Sequence, residues 1–99
     1  MKYVISWEPR QNTSPQTQAH SLSVFSKWAP DPKVTFHQFL SRIDGGGGYA
    51  VVETDDPKAI ARDMSIFGSW FDMQVHPVLE MADGAAIGGE AVEFITSNS

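Results

Sequence analysis

The residues of this chain whose types could do chemistry are three histidines, one dense acidic cluster and a set of tryptophans and tyrosines. His20, His37 and His76 stand far apart in sequence, none at a short zinc-ligand spacing from another, and there is no cysteine to complete a soft site. Their chemistry is therefore that of a base. A histidine on a strand that reaches an apolar pocket would take a proton from a phenol or an acidic carbon near neutral pH, and His37 and His76 both fall in β-rich segments. Glu53, Asp55 and Asp56 could together offer oxygen ligands to a hard cation. However, Asp56-Pro57 is accounted for by helix capping and by the preference of a helix N-terminus for negative charge. Glu53 is the exception: in a Val-rich strand a carboxylate either faces solvent or is buried with a raised pKa suited to acid/base work. Trp7, Trp28 and Trp70 lie near the ends of expected elements, where an indole at a pocket mouth would stack on a planar ligand, and Tyr3 and Tyr49 could orient it. The run Gly45-Gly46-Gly47-Gly48 does not read as a phosphate cradle, because the next element is a strand rather than a helix. No Gly-x-Ser-x-Gly elbow exposes a serine nucleophile.

These residues must be positioned by one small domain. The chain has 99 residues, too few for two self-supporting cores, with 41% hydrophobic and 19% charged side chains, a globular composition. Twelve acidic against seven basic residues give a net charge of -5, and the basic ones are scattered, so no stripe exists to neutralise phosphates. Nucleic acid is not an expected partner. The opening run Tyr3-Val4-Ile5 is far shorter than a signal-peptide core and no stretch approaches a membrane span, so the chain reads as cytoplasmic, without a membrane partner.

The expected elements follow from period and punctuation. Residues 2–7 read as a strand stopped by Pro9. Ser14-Pro15 opens a helix over 15–29, ended by Pro30 and Pro32. Residues 33–43 and 49–54 form a hairpin across the glycines, and Asp56-Pro57 opens a second helix over 57–70, with Ile60, Met64, Phe67 and Phe71 on one face. Gly68 is placed to close it early in a left-handed conformation. Residues 72–80 are a fourth strand, in which Pro77 favours a sheet edge or a bulge. The order β-α-β-β-α-β predicts an α+β, ferredoxin-like split βαβ fold: a four-stranded antiparallel sheet with two helices on one face, over residues 1–81. The Gly-rich tail, 82–99, reads as an arm strand over Ala91–Thr96 or as a frayed end. Apolar residues on both faces of the central strands predict a homodimer packed sheet to sheet.

Trp7 at the end of the first strand, the Gly-rich hairpin, Tyr49-Ala50-Val51-Val52-Glu53-Thr54-Asp55-Asp56-Pro57, the aromatic helix end around Trp70 and Val75-His76-Pro77-Val78 together resemble the domain of unknown function 3303 family, within the dimeric α/β-barrel superfamily. The resemblance covers about residues 1–80. It implies two ferredoxin-like protomers closing an eight-stranded barrel, with ligand pockets between sheet and helices. The superfamily hosts cofactor-independent oxygenases, cyclases, isomerases, haem enzymes and amino-acid-sensing domains, so the fold does not choose the chemistry.

Three functions stay open. The first is a binding module that holds a small hydrophobic or aromatic molecule against Tyr3, Trp7, Trp28, Tyr49 and Trp70. The second is a cofactor-independent monooxygenase, cyclase or isomerase in which His76 or His37, or Glu53, moves a proton. The third is a structural or interaction protein with a filled interior. No cofactor and no metal is expected, and a one-residue slip in register would reverse every assignment of facing.

Overall fold

The fold is described from a computed structural model covering residues 1–11 and 13–98. Its elements are β1 (Lys2–Pro9), α1 (Pro15–Lys27), β2 (Thr35–Ser41), β3 (Gly48–Glu53), α2 (Pro57–Phe67), β4 (Phe71–Val78) and α3 (Met81–Ser97). The first six give the expected β-α-β-β-α-β order, an α+β ferredoxin-like arrangement. The sheet order is β2-β3-β1-β4 with every neighbouring pair antiparallel, so β2 and β4 are the edges and Pro77 lies where its missing N–H costs no ladder bond.

Helix starts follow local chemistry. The Ser14 side chain accepts from Thr17 N–H at 3.1 Å and that of Asp56 from Lys58 N–H at 3.2 Å, each followed by proline in the first turn. Gly68 ends α2, but in a right-handed conformation with φ -62° rather than the left-handed one expected. Its requirement is space: a Cβ there would lie 2.6 Å from the Met64 carbonyl oxygen. In the β2–β3 turn, Gly45 and Gly47 do take positive φ (73° and 122°), and the Asp44 carboxylate accepts from Gly46 N–H at 2.8 Å.

The pleat sorts the sheet into two faces. Tyr3, Ile5, Trp7, Ala50, Val52, Met73 and Val75 face α1 and α2, where Ile5, Val34, Ala50, Val52, Ala59 and Ile60 form the buried core. Val4, Ser6, Tyr49, Val51, Glu53, Gln74 and His76 face the other way. The register shift between Phe36 and Gln38 makes His37 the extra residue of a β-bulge.

Residues 81–97 form a helix, not the arm strand or frayed end expected. Ala91–Thr96 has strand-like composition, but the whole segment is helical; Met81, Val92 and Ile95 fall on one side of it, while Ile87 and Phe94 fall on the other beside Asp83 and Glu90. No residue of α3 is buried, and the molecule reaches 60 Å in its longest dimension. No described helix is long and apolar enough to cross a membrane.

Candidate functional site

Between the sheet and the two helices α1 and α2 lies a cavity of about 400 Å³. It exists because the side chains along its walls are long and its floor is small: Ala50 leaves room beneath α1, while the neighbouring Trp7 and Met73 stand up from β1 and β4. Helix α1 contributes Leu22 and Phe25, both largely exposed, so the cavity opens to solvent along that helix. Aromatic rings line the rest. Trp28 is the hub, with ring centroids 5.5 Å from Phe67, 5.8 Å from Phe25 and 5.9 Å from Phe36, and Trp7 meets Phe39 edge to face at 5.6 Å.

One ionisable group lines this cavity among the described residues. Asp63 sits on α2 three residues after Ile60 and four before Phe67, which puts it on the helix's inward stripe. The Trp28 Nε1–H donates to its Oδ1 at 3.0 Å. Desolvation raises the Asp63 pKa above the usual aspartate value, against the opposing pull of that hydrogen bond. Sequence reading missed Asp63. The signal was present, since a carboxylate at i+3 and i-4 of apolar stripe residues has to be either snorkelling or facing a cavity.

Trp7 and Trp28 line the cavity, and Tyr3 borders a second, shallower depression with Ile60 and Val75. Trp70 instead packs its ring against exposed His20, centroids 5.3 Å apart, while its backbone carbonyl accepts from Arg10 N–H. Tyr49, His37, Glu53 and His76 lie on the opposite face of the sheet. The structure does bring two of these together: His37 Nε2 is 2.8 Å from Glu53 Oε1 across β2 and β3. A carboxylate only accepts, so Nε2 is the donor of this hydrogen bond, and in the neutral ring Nδ1 is then the acceptor. The Glu53 pKa is lowered, chiefly by this hydrogen bond. His76 Nε2 is 3.3 Å from Gln74 Oε1 on β4, at the other sheet edge.

Asp55 and Asp56 do not assemble with Glu53 into a cation site. Asp56 caps α2 and approaches Lys33 at 3.5 Å, and Asp55 lies 3.5 Å from the N-terminal amine. Among the described residues no group of three or more His, Asp or Glu side chains could hold a metal ion.

No characterised protein and no solved structure matches the chain. A family model does, and its span runs past the ferredoxin-like body into α3, further than the resemblance of residues 1–80 reaches. The match covers residues 1–92 and its description is Domain of unknown function (DUF3303), and the chain belongs to that family.

Proposed function

We propose that this chain is a binding protein for a small hydrophobic or aromatic molecule, held between the sheet and helices α1 and α2. The observation that carries this reading is the aromatic-lined cavity of about 400 Å³, within the size range of pockets that enclose drug-sized ligands. The test is titration with Nile red, a neutral dye whose fluorescence rises in apolar surroundings, on the wild type and on Leu22→Trp, which narrows the mouth from an exposed position. Saturable binding that weakens in the variant is expected. Dye binding that is absent, or equal in both proteins, would overturn the reading.

The same proposal includes a second copy of the chain on the outer sheet face. Val4 and Val51 lie half-buried at its centre, with Leu40 and Tyr49 exposed beside them. Strands of six to eight residues in a four-stranded sheet offer roughly 450 Å² of plane. That falls short of the ~800 Å² per partner of a standard interface. Helix α3, 17 residues long and nowhere buried, adds roughly 250 Å² and brings the total to roughly 700 Å², inside the range of about 600–1,000 Å² per partner that stable interfaces span. Sedimentation equilibrium should therefore show a dimer that Val51→Lys dissociates; a monomeric wild type would overturn this part.

One observation favours a second, enzymatic reading, namely the His37–Glu53 pair. Glu53 holds His37 in the tautomer that leaves Nδ1 free as a base, and a sheet-to-sheet dimer would cover both. Under this reading the substrate lies against the outer sheet face rather than in the cavity, and His37→Ala abolishes its turnover while Nile red binding in the cavity is unchanged.

A further inference from the structure

We infer that Asp63 is the polar anchor of the cavity and that the site takes a small apolar body bearing a protonated amine. The inference rests on reading the cavity as a ligand site and adds the chemical class of what enters it.

Three features of the cavity carry it. First, Asp63 is the only ionisable side chain among its described lining residues, and no lysine, arginine or histidine faces it, so nothing there would neutralise a carboxylate or phosphate. Second, the Asp63 carboxylate is held in place by one donor among the described residues. Oδ1 takes one hydrogen bond from Trp28 Nε1 at 3.0 Å, whereas a carboxylate has about four acceptor positions. Its neighbour on the helix, Arg62, is drawn off towards Asp31 at 3.1 Å and so does not occupy them. Third, the walls are aromatic, with Trp28, Phe25, Phe36, Phe39 and Phe67 in mutual ring contact. Ring faces carry negative partial charge and attract an ammonium group, so carboxylate and rings favour the same charge. The raised pKa of Asp63 agrees with a partly desolvated carboxylate that the Trp28 hydrogen bond and the nearby Arg62 charge do not fully offset.

The alternative role for Asp63 is to hold Trp28 in its rotamer. Asp63→Asn separates the two, because the amide oxygen still accepts from the indole while the negative charge is gone. The experiment is calorimetric titration of the full chain with 4-phenylbutylamine, 4-phenylbutanol and 4-phenylbutyrate. These share one apolar body and differ in charge. The amine should bind at least ~10-fold more tightly than the carboxylate, and Asp63→Asn should weaken the amine by ~10-fold while changing the alcohol by less than ~3-fold, as expected for loss of one charge-assisted hydrogen bond. Equal amine affinity in wild type and variant would overturn the inference while leaving the cavity a ligand site, and so would a preference for the carboxylate. Failure of all three probes together with Nile red would overturn the reading of the cavity itself. Equal thermal midpoints of wild type and variant would show that the loss of amine binding does not come from unfolding.

Discussion

Substituting Gly48 by Ala should damage both the fold and the cavity. Gly48 opens β3 opposite Ser41 on one side and Trp7 on the other, and a Cβ built on it would lie 2.3 Å from the Leu40 carbonyl oxygen and 2.4 Å from Cζ2 of the Trp7 indole. Ordinary contact begins about an ångström further out, and the first of these neighbours is backbone held in the β2–β3 ladder. Either the ladder separates or Trp7 swings away from Phe39. We expect a loss of about 3 kcal/mol, the upper end of what one added methyl costs in a packed site. For a chain of this size each kcal/mol lowers Tm by about 4–8 °C, so the midpoint should fall by roughly 12–24 °C. Gly45→Ala is the control. Gly45 has φ 73°, but nothing lies within 4 Å of its added Cβ, so it should cost only about 1 kcal/mol, the left-handed penalty alone. Circular dichroism melts of both variants, with Nile red titration alongside, test the argument. Gly48→Ala should lose dye affinity and Gly45→Ala should keep it. A Gly48→Ala variant that loses less than about 1 kcal/mol, or a Gly45→Ala variant that loses as much, would refute the reasoning that close approach of Trp7 shapes this end of the sheet.

Removing the caps, by Ser14→Ala or Asp56→Ala, should cost about 1 kcal/mol each, read as a shift of the urea midpoint with an unchanged slope. Acid should destabilise the protein. Asp31, Asp44, Glu53 and Glu80 have folded pKa values below their ordinary 3.8 and 4.5, chiefly through hydrogen bonds from Lys33 N–H, Gly46 N–H, His37 and Lys2 respectively. Their stabilisation is therefore fully present above those ordinary values and is lost as pH falls through the lowered ones, and a urea midpoint that stays flat below pH 4 would contradict it. Asp63 has the opposite sign. Its folded pKa is raised, so its contribution is complete below 3.8 and lost as pH rises through the folded value, and Asp63→Asn should be at least as stable as wild type at pH 7 in thermal melts. Trp28→Phe removes the indole donor, so the Asp63 pKa measured by carboxyl NMR should rise further, with about 1 kcal/mol of stability lost. In α3, a Cβ on Gly89 would meet open space, and Gly89→Ala should raise the α-helical signal and add up to about 1 kcal/mol.

Much of the fold was legible in the sequence, because the signals that define its elements are local. Ser14-Pro15 and Asp56-Pro57 announce helix starts through side chains that reach the orphan amides of the same first turn, and the glycine run announces a hairpin through torsion angles that only glycine takes readily. The alternation Tyr3/Ile5/Trp7 against Val4/Ser6 defined two faces of β1 without saying which would meet the helices. The tail shows how local composition misleads over short windows: Val92, Phe94 and Ile95 look strand-like, yet they close a 17-residue helix that begins at Met81.

The sequence by itself determined the order of the first six elements, the caps of α1 and α2, the glycine turn, the absence of thiol chemistry and the acidic balance, since each depends on residues close in the chain or on counting. Only the tertiary structure decided which side of the sheet each candidate occupies. Facing is a parity, reversed by a slip of one residue, and the bulge at His37 is such a slip: it puts His37 beside Glu53 on the face away from the cavity. The same packing took Trp28 from the end of α1 to within hydrogen-bond reach of Asp63 on α2, a pair separated by 35 residues. No spacing rule joins those two, because what unites them is the docking of both helices over one small-floored sheet.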